Sequence, residues 1–309
     1  MKAVSYRAYG GPEVLEYGEL PRPKIAPDSV LIEVRAAAVN PVDWKAQAGY
    51  LDPLLDAVFP VVPGWDVAGV VVEQGVDAPE FAVGDEVIGY VRKDVLSGGT
   101  FAEYVAAPVR TLARKPANLS FEQAAGLPLA GLTAYQALRA ADVGEGDTVL
   151  VHAAAGGVGS LGVQLARHLG ARVIGTASER NHDYLRSLGA EPVTYGDGLA
   201  DRVRALAPEG VHAVMDFVGD GAARTTPQLA AEGGARLVSI ADPETAAALG
   251  GRLLWVRPDA ADLTALAHLA EQGVLTVDVA EVFPLEKTAD AHRLSAQGHT
   301  RGKIVVRVR

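Results

Sequence analysis

The chain has 309 residues, with 28 basic and 38 acidic side chains, a formal net charge of −10 and no cysteine. This length predicts about two domains, and the negative charge argues against nucleic acid or an anionic membrane surface as a partner. The lack of cysteine excludes a disulfide framework, a cysteine-ligated metal site and a thiol nucleophile. With no signal peptide or membrane-spanning segment recognised at the N-terminus or elsewhere, we expect a cytoplasmic protein.

The first 120 residues or so predict a mostly β domain. Short β-rich runs are separated by turns that contain glycine and proline, such as Gly10–Pro12. The runs are Val30–Arg35, Val67–Val72, Glu86–Tyr90 and Phe101–Val105. This spacing is typical of a compact, mostly antiparallel barrel or sandwich.

From Phe121 the pattern changes to strands that alternate with helices. One predicted helix has Val158, Leu161 and Leu165 on a single face. Such alternation predicts parallel βαβ units and a doubly wound sheet. The predicted strands are Thr148–His152, Ala171–Ile174, His212–Phe217, Ala235–Ile240 and Leu253–Val256.

The residues after Pro258 predict a further set of elements. These are a helix to about Gln272, a strand in Leu275–Phe283, a helix in Leu285–Gln297 and a strand in Lys303–Val308. Periodicity leaves two possibilities for this segment, because it could extend the parallel sheet or return to the first domain.

The most informative motif is a glycine-rich turn between the strand at Thr148–His152 and the helix that follows. It reads Ala154-x-Gly156-x-x-Gly159, a variant of the dinucleotide fingerprint. Gly156 would let backbone amides approach a pyrophosphate, and Gly159 would let the helix pack close to the strand. The alternative is a tight turn that binds no ligand.

The end of the next strand bears on which dinucleotide binds. An NAD-binding unit usually places a carboxylate there, whereas Val173–Ser178 ends without one and Arg180 follows. A small hydroxylated residue and a guanidinium suit a 2′-phosphate, so NADP(H) is favoured over NAD. The alternative for Arg180 is a solvated charge in the first turn of a helix.

The sequence gives little indication of metal, histidine or serine-nucleophile catalysis. The seven histidines lack metal-ligand spacing, and His152 is interpreted as a buried histidine bonded to the backbone. A serine nucleophile elbow is not formed, because Val158 stands where its first glycine is required.

Taken together and in order, motifs along nearly all of the chain resemble the medium-chain dehydrogenase/reductase superfamily, most of all its zinc-independent quinone oxidoreductase (zeta-crystallin-like) branch. The motifs are Ala36–Asp43, Pro63–Val71, Val83–Val87, Gly98–Tyr104, Ala124–Pro128, Gly131–Tyr135, the glycine turn, Asp216–Gly219 and Arg301–Val305.

This resemblance implies an α/β fold with two domains. A GroES-like, mostly β catalytic domain would comprise residues 1–122 and 259–309, and a Rossmann domain with a doubly wound parallel sheet would comprise residues 123–258. Cofactor and substrate would lie in the cleft between the domains, and the protein would be a homodimer, associating through edge strands such as Leu253–Val256.

The departures from the zinc alcohol dehydrogenases are informative. Asn40 stands where those enzymes carry a catalytic cysteine, and Trp65 and Asp66 stand where they carry a His-Glu pair. We therefore expect no metal, and without a Lewis acid alcohol oxidation is disfavoured. Reduction of an electrophilic quinone or enone needs less assistance.

The resemblance also implies site residues. Asn40 would lie near the nicotinamide and Tyr50, Trp65 and Asp66 in the substrate cleft, with Asp66 either bracing the backbone or acting beside the substrate. Tyr50 and Asn40 are the candidate catalytic side chains. The remaining cofactor contacts would be Gly131, Thr133, Ala155, Gly156, Gly157, Val158, Thr176, Ser178, Arg180, Tyr195, Phe217, Val218, Ser239, Ile240 and Lys303.

The function expected is an NADPH-dependent reductase of a small-molecule quinone or conjugated enone. Three alternatives stay open. The chain could be a pathway-specific enoyl or alkenal double-bond reductase, a redox-neutral tailoring enzyme of the same family, or a non-catalytic NADPH-binding protein. A basic stripe that would favour nucleic acid is not found.

Overall fold

The computed structural model describes all 309 residues. Seventeen strands and ten α-helices are present. The strands are β1 (Lys2–Ser5), β2 (Glu16–Glu19), β3 (Ser29–Val39), β4 (Ala57–Val62), β5 (Asp66–Gln74), β6 (Glu86–Tyr90), β7 (Leu96–Gly98), β8 (Tyr104–Pro108), β9 (Leu112–Arg114), β10 (Thr148–His152), β11 (Arg172–Thr176), β12 (Glu191–Val193), β13 (Ala213–Asp216), β14 (Arg236–Ser239), β15 (Arg252–Leu253), β16 (Val279–Pro284) and β17 (Lys303–Arg307).

The helices connect these strands. They are α1 (Pro41–Gln47), α2 (Phe121–Ala125), α3 (Pro128–Ala140), α4 (Gly157–His168), α5 (His182–Ser187), α6 (Leu199–Leu206), α7 (Thr226–Leu229), α8 (Pro243–Ala248), α9 (Ala260–Glu271) and α10 (Thr288–Gln297). No helix is both long and apolar enough to cross a membrane.

The chain divides into two compact units. Unit 1 contains Met1–Leu129, Pro258–Gly273 and Val277–Arg309, and unit 2 contains Ala130–Arg257 and Val274–Thr276. The sequence predicts the first division between residues 122 and 123, whereas the structure divides within α3, after its first two residues.

Unit 1 is built on a seven-stranded, mostly antiparallel sheet. Its strand order is β16-β17-β3-β5-β6-β9, and β8 pairs with β3. Alternate side chains of β3 such as Val30, Ile32 and Val34 pack into a buried apolar core. β17 pairs antiparallel with β3, so the segment after Pro258 returns to the first unit, one of the two possibilities left by the sequence.

One predicted strand of unit 1 is displaced. The sequence predicts a strand over Phe101–Val105, but β8 begins only at Tyr104. The Phe101 N–H donates to the carbonyl of Pro63 at 3.1 Å, and its ring is fully buried. Phe101 is apolar because it fills the core, a signal that periodicity does not separate from strand formation.

Unit 2 is built on a six-stranded sheet whose paired strands are all parallel. The order is β12-β11-β10-β13-β14-β15, the doubly wound arrangement of a Rossmann domain. This confirms the predicted fold class. The order reverses between β10 and β13, and the carboxyl ends of strands beside such a point form the usual ligand site of these sheets.

The edge strand β15 is shorter than the predicted Leu253–Val256. Its last pair joins Leu253 to Ser239, where β14 also ends. The Leu254 N–H still donates to the Ser239 carbonyl at 2.8 Å, but later residues have no strand beside them. Strand length here is set by the partner strand rather than by the apolar run itself.

Candidate active site

The glycine-rich turn of unit 2 joins β10 to α4. Ala153 has a positive φ of 53° and its N–H donates to Thr176 Oγ1 at 3.1 Å. The Ala154 N–H donates to the Thr176 carbonyl at 3.0 Å. No side chain caps α4 at Gly156, so no capping group competes for the N–H groups of its first turn, which include those of Gly157 and Val158. Such a helix start suits an anion.

The two outer glycines of this turn have different environments. A Cβ on Gly159 would lie 2.2 Å from the Ala153 carbonyl oxygen and 2.7 Å from the Ala154 Cα. Glycine is therefore required there for α4 to approach the turn. A Cβ on Gly156 would meet only the Ala153 carbonyl oxygen, at 3.3 Å. Apart from this one close contact, no atom of the chain lies within 4 Å of the added Cβ, so the turn is open at residue 156, as a pyrophosphate cradle requires.

A buried carboxylate orders the loop after β13. Asp216 Oδ1 accepts hydrogen bonds from the Val218 N–H at 3.1 Å and the Gly219 N–H at 2.9 Å. Its Oδ2 accepts from Ser239 Oγ at 2.7 Å. This network fixes the ends of two adjacent strands and holds Val218 with 46% of its surface exposed. In the sequence, Asp216 is recognisable only as part of the motif Asp216–Gly219, and this role is not predicted.

The expected contacts to the adenosine side follow β11 and β12, which are neighbours in the sheet. Thr176 is buried at the end of β11 and holds the glycine turn through its hydroxyl. Ser178 accepts a hydrogen bond from Asn181 Nδ2 at 3.4 Å, and Arg180 lies on the surface. Tyr195 follows β12 and is half-exposed. These residues share one edge of the sheet, as parallel strands dictate.

The remaining residues that the sequence predicts to contact the cofactor lie in α3, in the glycine turn and after β13 and β14. Gly131 and Thr133 are buried in α3, and Ala155 is buried in the glycine turn. Phe217 packs beside α4, because a Cβ on Gly162 would lie 2.9 Å from its ring. Ile240 is half-buried and follows β14 directly.

Unit 1 contains a buried polar cluster around Asn40, which precedes α1. Asn40 Nδ2 donates to Asp66 Oδ2 at 2.9 Å, and Lys303 Nζ donates to Asn40 Oδ1. Asp66 Oδ1 accepts from the Leu129 N–H at 2.8 Å. The ammonium of Lys303 lies 3.9 Å from Asp66 Oδ2. Asp66 is fully buried, and its carboxylate braces the first turn of α3 through the Leu129 N–H.

Burial sets the titration of this cluster. It raises the pKa of Asp66 to about 6, although Lys303, Asn40 and the Leu129 N–H oppose the shift. Burial lowers the pKa of Lys303, and the two nearby carboxyl groups oppose that shift. It raises the pKa of Asp43 to about 8, although the Asn40 N–H and Lys303 oppose the shift. Asp43 Oδ2 accepts from the Asn40 N–H at 2.7 Å, and its Oδ1 has no partner.

A small pocket, with room for little more than a water molecule, opens on unit 1. Apolar side chains form most of its wall, including those of Val61, Trp65 and Leu96. Asp43 and Lys93 supply its carboxyl and amino groups, and Tyr6 supplies a phenol. The sequence singles out Trp65 but gives no role to Lys93, which lies in a segment without a recognisable signature.

Tyr50 has a different position from Trp65. Its side chain is 69% exposed and is not part of the pocket wall. Trp65 is buried, and its ring lies 6.1 Å from that of Tyr90. The structure thus brings Asn40, Asp66 and Lys303 together and places Trp65 in the pocket, with Tyr50 on the surface after α1.

The donor set does not fit a zinc ion. No group of three or more His, Cys, Asp or Glu side chains that could hold a metal is present. Trp65 supplies no lone pair, and Asp66 is committed to Asn40, Lys303 and the Leu129 N–H. These residues therefore do not form a ligand set for a catalytic zinc ion.

Comparison with known proteins agrees with this geometry. Family profiles described as "Alcohol dehydrogenase GroES-like domain" and "Zinc-binding dehydrogenase" match residues 26–117 and 188–306. The "NADPH-dependent alkenal/one oxidoreductase, chloroplastic" of Arabidopsis thaliana is 38% identical over 99% of this chain and 79% of its own length. The "2-methylene-furan-3-one reductase" of Solanum lycopersicum is 37% identical over the same shares of the two chains.

A solved structure extends the similarity to the whole fold. The quinone oxidoreductase from Coxiella burnetii has a TM-score of 0.88 and 37% identity, covering 100% of this chain and 99% of its own. A GroES-like unit and a Rossmann unit in this order define a medium-chain dehydrogenase/reductase. The chain belongs to that superfamily, and within it to the quinone oxidoreductase-like proteins.

Proposed function

We propose that this protein is an NADPH-dependent reductase that transfers a hydride to a quinone or a conjugated enone without a catalytic zinc. The observation that carries the proposal is the uncapped start of α4 with an open cradle at Gly156. The relatives named for alkenal, furanone and quinone substrates support the acceptor class. When bound, NADPH supplies the hydride.

The residues of unit 2 would bind and orient the cofactor. The first turn of α4 would take the pyrophosphate, and Ser178, Arg180 and Tyr195 would lie along the adenosine side. β11 ends at Thr176 without a carboxylate, which favours a 2′-phosphate over a free 2′-hydroxyl. NADPH is therefore the proposed cofactor rather than NADH.

The residues of unit 1 would stabilise the acceptor. Negative charge develops on its oxygen as the hydride arrives, and a hydrogen-bond donor must meet that charge. Asn40 Nδ2 donates one hydrogen to Asp66 Oδ2 at 2.9 Å, which fixes its orientation, and the other to the Ala38 carbonyl at 3.5 Å, a long hydrogen bond that an acceptor oxygen would have to replace. Tyr50 is the other proposed donor, and its exposed hydroxyl could also deliver a proton to an enone.

Replacing Tyr50 tests its part in proton delivery. We expect Tyr50→Phe to lower kcat roughly tenfold or more with an enone and less with a quinone, because water can protonate an acidic hydroquinone product. The measurement is steady-state NADPH oxidation with one acceptor of each kind. Unchanged turnover on both would remove Tyr50 from the mechanism. Tyr17→Phe, at another exposed tyrosine, is the matched control.

The overall function is tested with purified protein, two cofactors and three acceptors. NADPH and NADH oxidation are measured with an ortho-quinone, a para-quinone and a simple enone, each with and without a metal chelator. We expect turnover that prefers NADPH and does not respond to the chelator. The best acceptor then distinguishes quinone from enone reduction. Tight NADPH binding with no turnover on any acceptor would contradict the general reductase and favour one narrow substrate or a binding protein.

The homodimer and the cytoplasmic location stay predictions. The dimer is proposed through the edge of the six-stranded sheet, where β15 has a single strand neighbour. Leu253 and Trp255 are both about half-exposed near that edge.

A further inference from the structure

Arg202 of α6 holds the loop of residues 194–198, which joins β12 to α6 and is called the β12–α6 loop below. Its guanidinium donates to four consecutive backbone carbonyls of that loop. The distances are 2.9 Å to Thr194, 3.4 Å to Tyr195, 3.3 Å to Gly196 and 2.8 Å to Asp197. One planar group thus spans the loop, which the compact ammonium of a lysine cannot do.

The β12–α6 loop has few other restraints. Gly196 and Gly198 have φ values of 86° and 74°, a region that glycine adopts freely. No atom lies within 4 Å of a Cβ built on Gly196, and a Cβ on Gly198 would lie 3.1 Å from Arg202 Nη1. The conformation of the loop therefore depends on its contact with Arg202.

The contact between Arg202 and the loop is not an ion pair. The guanidinium is directed at carbonyl oxygens, and Asp197 takes part through its backbone rather than its carboxylate. Arg172 in the same unit shows the other arrangement, because it is paired with the carboxylate of Glu191 at 2.6 Å. The fork of Arg202 thus fixes the path of a backbone segment rather than neutralising a charge.

The β12–α6 loop carries Tyr195, which is proposed to lie on the adenosine side of the cofactor. The Tyr195 side chain is 50% exposed and makes no hydrogen bond, ion pair or ring contact of its own. β12 pairs with β11 in parallel, so this loop and the end of β11 lie at the same edge of the sheet. In dinucleotide-binding sheets the end of that strand distinguishes a ribose 2′-hydroxyl from a 2′-phosphate.

We propose that Arg202 is a positioning residue for recognition of the 2′-phosphate of NADPH. The inference rests on the proposed function and adds a residue that acts through the β12–α6 loop. Ordering a glycine-containing loop at the moment of binding would subtract from the affinity, and Arg202 orders it in advance. NADH lacks the phosphate and gains less from a fixed Tyr195, so Arg202 raises the preference for NADPH over NADH.

The first test measures the loop in the free protein. Chymotrypsin cleaves after Tyr195 only when the loop leaves its place, and the measured quantity is the rate of this cut relative to all other cuts. We expect Arg202→Met to raise this relative rate about tenfold, and Arg202→Lys to raise it as well. The matched control is Arg204→Met, on the same helix, where the arginine also donates to a backbone carbonyl, that of Gln228 at 2.8 Å. Global unfolding would raise every cut and leave the relative rate unchanged.

The second test measures the contribution of the 2′-phosphate to binding. Calorimetry gives the dissociation constants of NADH and NADPH, which differ only in this phosphate, and the measured quantity is their ratio. We expect Arg202→Met and Arg202→Lys to lower the ratio of the NADH constant to the NADPH constant about fivefold or more. Arg204→Met should leave the ratio unchanged.

An unchanged relative rate of the cut after Tyr195 in Arg202→Met would overturn the proposal, and so would an unchanged cofactor ratio. Full preference for NADPH in Arg202→Lys would overturn it too, since the positive charge alone would then suffice. Failure of the proposed function looks different, because the original protein would bind neither cofactor while the cut after Tyr195 still responded to Arg202. In that case Arg202 braces the loop, and its role in cofactor selection is contradicted together with the function on which it rests.

Discussion

Gly156→Ala should raise the dissociation constant for NADPH about tenfold or more and change the free energy of unfolding by no more than about 1 kcal/mol. The φ of Gly156 is −76°, which alanine adopts without strain, and an added Cβ meets only one carbonyl oxygen at 3.3 Å. The methyl group would instead occupy the cradle proposed for the pyrophosphate. Removing a glycine at a compatible position can even add about 0.4–1 kcal/mol by restricting the unfolded chain.

Two further alanine variants make this result specific. Gly159→Ala should lower the free energy of unfolding by about 1–3 kcal/mol, because its Cβ would overlap the backbone of Ala153 and Ala154. Gly144→Ala, where no atom lies within 4 Å of the added Cβ, should leave the NADPH affinity unchanged and the stability unchanged or raised by up to about 1 kcal/mol. Calorimetric titration gives the affinity and denaturant unfolding gives the stability. Full NADPH affinity in a folded Gly156→Ala would contradict the assignment of the turn.

Asp66→Ala should lower the free energy of unfolding by about 3–5 kcal/mol, the usual cost of breaking a buried ion pair from one side. The substitution leaves Lys303 buried without its carboxylate and removes the acceptor for the Leu129 N–H. Denaturant unfolding at neutral pH measures the loss. A decrease below about 1 kcal/mol would show that the buried cluster is not structural.

The double variant Asp66→Leu with Lys303→Met separates the ion pair from packing. Removing both charges should be less harmful than removing Asp66 alone, because no uncompensated ion is left. A surface pair provides the control, since Asp290 and Arg293 are 44% and 51% exposed at the side chain. Asp290→Ala should cost less than about 1 kcal/mol.

The sequence predicts the fold well wherever local signals and partners agree. Glu86–Tyr90 and Thr148–His152 are predicted with the bounds that the structure has, because each is a short apolar run with turn residues near its ends. Phe101 and the residues after Leu253 lie outside strands, although the sequence predicts strands there. Their hydrogen bonds are decided by Pro63 and by the end of β14, which lie far away in the sequence.

In the candidate site, too, features set by neighbouring residues can be predicted from the sequence, and features set by distant residues cannot. The glycine turn is readable because the spacing of Gly156 and Gly159 is local. The burial of Asp66 is not, because it depends on Leu129 and Lys303, which tertiary packing alone brings together. Lys93 carries no signal in the sequence, since a lysine in a turn segment is normally solvated and only the pocket wall makes it unusual.

The place of β17 in its sheet has a consequence for the order of folding. β17 lies between β16 and β3, so the sheet of unit 1 is continuous only when residues 303–307 have joined it. Residues 130–257 of unit 2 are complete much earlier in the chain. During synthesis on a ribosome, domains fold as they emerge. Most of unit 2 can thus form before β17 is available to complete the sheet of unit 1. Lys303 arrives with that strand, so the polar cluster around Asn40 is assembled last.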